Sequence, residues 1–373
     1  MFCHVLTGVP SGPSGFDHTQ LVDMVAISGL RSLSTPVNRT RRLPMILGGA
    51  AFFIMCIIYL LLSIAPCMVY GNCYRGYSSA YSFDADLAHN PTWMADIPDD
   101  VFLSSLSIPG THDTMTYEIG TEILQCQNWN LTTQLEAGIR YFDIRARVRD
   151  DELHIYHANG YTGFSFEDVV GYMNDFLDRN PSETIIMRLK QEGNGIGDNN
   201  TLSFEAAFNQ YPLGDRLYNY SASEPLPTLG SLRSKIFVLQ NFPAWRGGPY
   251  GVKWEGHQMI LEDKWIIPDI YHLSEKWTAI RDALELAATA ALDNKVLYLA
   301  HISASVGVLP IEAAAGPMNR TVTGMNDMTG QWIKDFEDNP DTTRTGIVII
   351  DFPGKKFIDA ILRWNKSYTK KQA

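Results

Sequence analysis

The chain is 373 residues long, 45% hydrophobic and 19% charged, with a formal net charge of −11. Its 29 glycines and 19 prolines are ordinary, which excludes a disordered or collagen-like chain, and five cysteines are too few for a disulfide scaffold of this length. The acidic balance excludes a nucleic-acid binder, which needs a basic face, and the length holds one large domain or two small ones.

A mean hydropathy of −0.10 hides an uneven distribution. No charged residue occurs from Leu43 to Ala65, a run that reaches the roughly 20 apolar residues needed to cross a bilayer core. Pro44 and Pro66 sit at its ends, where neither interrupts a helix. Arg39, Arg41 and Arg42 precede it, and the next basic residue is Arg75. The positive-inside rule therefore predicts a cytoplasmic tail over 1–42, a transmembrane signal-anchor over 43–66 and a lumenal or extracellular remainder. A cleaved signal peptide is the competing reading. Its usual apolar core is only about 7–15 residues behind a short basic segment. Acceptor sequons at Asn130, Asn199, Asn219, Asn319 and Asn365 agree with export and a glycoprotein. Cys73 and Cys126 are candidates for a disulfide in such a compartment. Residues 1–66 carry a net +2, so the remainder carries −13 of the total −11.

Residues 67–95, rich in Tyr, Ser, Asn and Gly, read as a stalk or a capping segment. Regular patterning runs from 96 to 373. Strands are predicted at Leu103–Ile108, Tyr141–Ala146, Leu153–Tyr156, Thr184–Leu189, Ile236–Leu239, Met259–Leu261, Val296–Ala300 and Gly346–Ile350. Helices are predicted at Phe166–Arg179 and Glu275–Leu292. Near-continuous apolar strands alternating with helices indicate an α/β fold with a parallel sheet covered on both faces. Eight such strands suit a distorted (β/α)8 TIM-type barrel better than an open doubly wound sheet, and no Gly-rich phosphate loop of the Walker or dinucleotide type is present.

Several predicted strands end in polar residues that an apolar core would not choose. Pro109-Gly-Thr-His112-Asp113 follows the first. Asp143 and Arg145 share a face of the second, and His157 follows the third. Lys190 and Glu192 end the fourth, and Asp263 and Trp265 follow the sixth. His301 and Asp351 end the last two. In a barrel such ends converge on one mouth. Two histidines and a fixed cation suit phosphodiester cleavage. One His takes a proton from the attacking hydroxyl and the other gives one to the leaving oxygen, while Arg145 grips the phosphate oxygens. An Asp on the basic His fixes its tautomer. A divalent metal on His112, Asp113, His157 and Asp351 is the competing chemistry. Arg145 would put a permanent cation beside it.

Ser107-Ile-Pro-Gly-Thr-His-Asp-Thr114 and Tyr141-Phe-Asp-Ile-Arg-Ala-Arg147 resemble the first two motifs of the phosphatidylinositol-specific phospholipase C X domain. Pro181-Ser-Glu-Thr-Ile-Ile-Met-Arg-Leu-Lys-Gln-Glu192, Thr228–Leu239 and Ile350-Asp-Phe352 follow in family order, over roughly residues 98–365. The similarity is to the bacterial-type, metal-independent branch, in which an Arg stands where the calcium-dependent enzymes place their metal. The resemblance implies His112 as general base supported by Asp351, and His157 as general acid assisted by Asp113. It implies Arg145 as the phosphate clamp. It implies Lys190, Glu192, Asp263, Trp265 and Asn241 in the head-group pocket, and no cofactor. Asn241 stands where the bacterial enzymes have an Arg, and Trp265 where they have a Tyr. Ala158-Asn-Gly160 follows His157 where the family more often has Gly directly. The implied reaction is attack by the inositol 2-hydroxyl on phosphorus, giving a cyclic inositol phosphate and diacylglycerol from an inositol phospholipid or a GPI-type glycolipid in the membrane. The alternatives are a metal-dependent glycerophospho- or sphingolipid phosphodiesterase, and an inactive barrel that binds inositol lipids.

Overall fold

A computed structural model describes residues 47–60, 72–221 and 225–369. Contacts divide the chain into two units, Met1–Ile57 and Ile58–Ala373. The expected tail over 1–42 lies outside the described residues. Of the expected anchor over 43–66, residues 47–60 form a helix, α1, exposed on every face, and its two flanks lie outside the described residues. Among the described residues no helix is long and apolar enough to cross a membrane.

The strands in chain order are β1 (Cys73–Tyr74), β2 (Tyr77–Ser78), β3 (Ile108–Thr111), β4 (Tyr141–Arg149), β5 (Glu152–His157), β6 (Gly160–Ser165), β7 (Ile185–Gln191), β8 (Ile236–Asn241), β9 (Gly251–Lys253), β10 (Met259–Glu262), β11 (Ile266–Ile267), β12 (Leu297–His301), β13 (Ser305–Val306) and β14 (Ile347–Ile350). The helices after α1 are α2 (Leu131–Ala137), α3 (Phe166–Arg179), α4 (Phe204–Phe208), α5 (Leu229–Leu232), α6 (Leu273–Thr289), α7 (Pro310–Ala315), α8 (Met325–Phe336) and α9 (Lys355–Arg363).

Eight strands pair in parallel in the order β10-β12-β14-β3-β4-β7-β8-β9. The sheet curls as a barrel does, but among the described residues no ladder joins β9 to β10, so the expected closed ring is open at that seam. β9 has only three residues, and the side chains of Trp254 and Met259 fill the inner core beside the gap. Two predicted strands are corrected. Leu103–Ser105 is a 3-10 turn whose Leu103 joins the inner core with Leu106, and the strand begins at Ile108. The predicted Leu153–Tyr156 strand is antiparallel to β4 and forms a hairpin with β6, so its place in the barrel goes to β9.

Alternation sorts each strand between two cores. On β7, Ile185, Met187 and Leu189 pack outward with Phe166, Val169 and Phe176 of α3, whereas Ile186 points into the barrel. Val348 and Ile350 likewise face Ile280, Ile333 and Phe357 of α6, α8 and α9. α3 starts at a capping box between Ser165 and Asp168 and ends at Asn180 before Pro181, matching its predicted bounds. Within residues 72–95, Tyr81 enters the outer core and Met94 the inner one. Cys73 is disulfide-bonded while Cys126 is a free buried thiol, so the two do not pair. Four of the sequon asparagines are exposed, but Asn365 is buried and bonds the backbone of Ser107 through both its Oδ1 and its Nδ2.

Candidate active site

The inward-facing side chains form an apolar layer low in the barrel: Ile108, Tyr141, Ile186, Phe237, Leu239, Met259, Leu297, Leu299, Ile347 and Ile349. Two residues further along, or four on β3 and β10, the same parity delivers His112, Asp143, Arg188, Asn241, Asp263, His301 and Asp351 to the C-terminal end. Gly110 occupies an inward position because a Cβ there would lie 2.7 Å from the Tyr141 ring. Backbone turns complete the placement. Asp113 has φ +41, a region that Asp tolerates better than most residues. Gln127 Nε2 donates to the carbonyls of His112 and Ile350 at 2.8 and 2.9 Å, fixing the turn after β3 against β14.

His112 Nδ1 lies 2.9 Å from Asp351 Oδ1. The opposite ring nitrogen, Nε2, is 3.1 Å from Asp113 Oδ2. His157, carried by the β5–β6 hairpin, puts Nδ1 2.8 Å from the carbonyl of Leu124 and Nε2 3.4 Å from the same Asp113 oxygen. A carbonyl only accepts, so His157 Nδ1 carries a hydrogen and the ring turns its Nε2 toward Asp113. Arg145 Nη1 lies 3.0 Å from Asp113 Oδ2, while its Nε and Nη2 donate to Asp143 Oδ2 at 2.9 and 2.7 Å. The two histidine rings stand 6.4 Å apart.

Burial, reinforced by the Arg145 charge, holds the His112 imidazole well below its ordinary range, so it is neutral near pH 7 and able to accept a proton. Burial and the neighbouring Asp113 charge push Asp351 well above the usual carboxylate range. Burial also raises Asp113, against the pull of Arg145. For Asp143 burial works upward, but Arg145 and Arg188 outweigh it and hold the carboxyl well below its usual range. Burial works against the charged form of Arg145, and Asp113, Asp143 and Glu192 outweigh it.

A cavity of about 290 Å³ opens over these groups. His112, His157, Arg145 and Asp351 line it, with Lys190, Glu192, Asp263 and Trp265 around its rim, and Asp113 lies buried beneath. Lys190 Nζ is 2.5 Å from Glu192 Oε2, and Glu192 Oε1 accepts from the Ala158 N–H at 3.0 Å. Ala158 takes φ +50, the backbone state that Gly adopts without strain. The Lys276–Glu262 ion pair at 2.9 Å, buried, fixes the turn that carries Asp263 and Trp265. Asn241 departs from its expected place. It lines a neighbouring groove, and its Oδ1 accepts from Arg188. Arg188, Cys126 and Ser303 line the cavity and were not foreseen. For Arg188 the signal was its parity with Lys190 on one strand. For Cys126 and Ser303, both in irregular segments, there was none.

Among the described residues, His112, Asp113 and Cys126 bring three ligand atoms within 4.8 Å of one another. Burial pushes the Cys126 thiol well above its usual range, which disfavours the thiolate a metal needs, and Arg145 already faces Asp113.

The profile described as phosphatidylinositol-specific phospholipase C, X domain, matches residues 106–241. A 1-phosphatidylinositol phosphodiesterase of Listeria monocytogenes is 32% identical over 289 residues, covering 74% of this chain and 84% of the relative. One from Staphylococcus aureus is 24% identical over 329 residues, covering 80% and 94%. The structure of phosphatidylinositol-specific phospholipase C from Listeria monocytogenes superposes with a TM-score of 0.61 at 32% identity, over 74% of this chain and 98% of that one. With identity carried across nearly the whole of a relative, the chain belongs to the phosphatidylinositol-specific phospholipase C family that contains the X domain.

Proposed function

We propose that this chain is a phosphodiesterase of phospholipase C type that cleaves inositol phospholipids, GPI-type glycolipids included, by histidine acid–base catalysis. The observation that carries this reading is the single Asp113 oxygen facing His112, His157 and Arg145, with Asp351 behind His112. His112 Nε2 takes the proton of the inositol 2-hydroxyl while its Nδ1–H stays on Asp351. The oxygen attacks phosphorus, and Arg145 donates to the non-bridging oxygens as their charge grows. His157, as the general acid with Asp113 behind it, gives a proton to the departing glycerol oxygen, which leaves a cyclic inositol phosphate and diacylglycerol. The nucleophile belongs to the substrate, so proximity replaces a covalent enzyme intermediate.

Trp265, Ile266 and Val306 are exposed on and beside the β11–β13 pair next to the mouth, and they support a substrate met at a lipid surface. The signal-anchor reading of residues 43–66 would hold the domain on that surface, on the lumenal or extracellular side. The deciding assay follows phosphatidylinositol vesicles by phosphorus NMR, with and without EDTA. A cyclic phosphate product, undiminished by chelator, is expected. His112→Ala should cost on the order of 10²–10⁴-fold in rate. Abolition by EDTA would favour a metal-dependent diesterase. No turnover in the wild type, together with retained lipid binding, would favour an inactive lipid-binding barrel.

A further inference from the structure

Arg188 has no task in the acid–base scheme, yet it is 5% exposed and lines the cavity. Three fixed partners hold it. Asn241 Oδ1 accepts from Nε and Nη2 at 3.1 and 2.8 Å, Asp143 Oδ1 lies 3.4 Å from Nη1, and the guanidinium carbon sits 3.8 Å from the centroid of the Trp254 ring. A guanidinium has five N–H bonds. The Asn241 bonds use two, and Asp143 Oδ1 makes an ion pair without a hydrogen bond, so both hydrogens of Nη1 and one of Nη2 have no hydrogen-bond partner among the described residues. Asp143 separates the two arginines, offering Oδ2 to Arg145 and Oδ1 to Arg188.

The surroundings share this unfilled polarity. Asp263 lines the cavity and has no ion-pair partner among the described residues. His301 is 1% exposed with neither ring nitrogen hydrogen-bonded, and the buried Ser303 hydroxyl is also without a partner. Burying a cation with unused donors is costly unless a ligand uses them. A planar fork with parallel donors fits two adjacent oxygens on a rigid ring.

We infer that Arg188 is a specificity-determining residue that holds a pair of adjacent ring hydroxyls of the head group, across Asp143 from the phosphate gripped by Arg145. This rests on the phosphodiesterase reading above. The competing role is a counter-charge for Asp143, which any cation would fill.

The test uses the full chain as wild type, Arg188→Ser, Arg188→Lys and the double variant Arg188→Ser/Asn241→Arg. Residue 241 lies on the adjoining strand, with its side chain already within 3.1 Å of the guanidinium, so an arginine there can return the fork. Rates on phosphatidylinositol vesicles and calorimetric binding of myo-inositol are measured on each. Arg188→Ser should lose roughly 10–10²-fold in kcat/KM, mostly through KM, with a matching loss of inositol binding. The lysine variant should recover little and the double variant most of it. Full recovery by lysine, or unchanged KM and inositol binding in the serine variant, overturns the inference. A wild type inactive on phosphatidylinositol would refute the phosphodiesterase reading alone. Inositol binding that depends on Arg188 would then still support the inference, and its absence would overturn it.

Discussion

At the scale of single residues, one carboxylate oxygen organises the site. Asp113 Oδ2 lies within 3.0–3.4 Å of Arg145, His112 and His157, so the proposed clamp and both proposed proton-transfer groups share one reference point. Arg145 makes that arrangement work as a planar fork, with separate nitrogens on Asp113 and Asp143. Lysine offers a point charge and cannot span both. Arg145→Lys is therefore expected to lose about 10²–10³-fold in kcat with its circular dichroism unchanged. Near-wild-type turnover would remove the clamp role. The acid limb of kcat/KM follows from His112. A base must be unprotonated, and burial and Arg145 lower its affinity for protons. The limb should thus fall below the ordinary imidazole value near pH 6.5, with activity holding as pH drops from 7 to 6. A limb centred at or above 6.5 would contradict a buried neutral base. His301, which burial pushes down to about 4, stays uncharged through that window and adds no limb of its own.

At the scale of elements, what could be read from the chain depended on how each strand meets the two cores. β4, β7, β8, β12 and β14 have apolar neighbours on both faces, so their runs are continuous and stand out. β9 is three residues, Gly-Val-Lys, with only Val252 in the inner core, and no local pattern marks it. β5 shows a strand pattern, but nothing local separates a barrel strand from a hairpin folded back on β4. The histidines, acids and Arg145 that gather at the cavity were legible because polar residues at strand ends conflict with an apolar core. Arg188 sits in the middle of Ile185–Leu189, and only the two-residue period showed that it shares Lys190's face. Gly110 tests the packing that supports this layer. A methyl there would lie 2.7 and 2.8 Å from Cδ1 and Cβ of the buried Tyr141. Gly110→Ala should cost about 1–3 kcal/mol in chemical denaturation, since neither neighbour has room to retreat. A change under about 0.5 kcal/mol, the usual range of a surface substitution, would show that β3 can shift freely.

At the scale of the whole molecule, an acidic catalytic unit is proposed to work on a lipid surface. The net −13 outside residues 1–66 gives it no general attraction to anionic bilayers, so on the proposed reading attachment would come from the apolar run and the exposed side chains at the mouth. Carbonate extraction of membranes from expressing cells is expected to leave the chain in the pellet at full length. A shortened, soluble product would show that residues 43–66 are a cleaved signal. The sheet order has a further result. β14 lies between β12 and β3, and among the described residues it alone joins the β10–β12 pair to the β3–β9 set, because the seam carries no ladder. Strand β3 emerges early from the ribosome and has β4 soon after it, but waits for its other neighbour, β14, which is made more than two hundred residues later. The same late segment brings Asp351 to His112. A nascent chain would hold His112, Arg145 and His157 with no completed base. On this geometry the His112–Asp351 pair that the proposed mechanism relies on is assembled only after synthesis has passed residue 351.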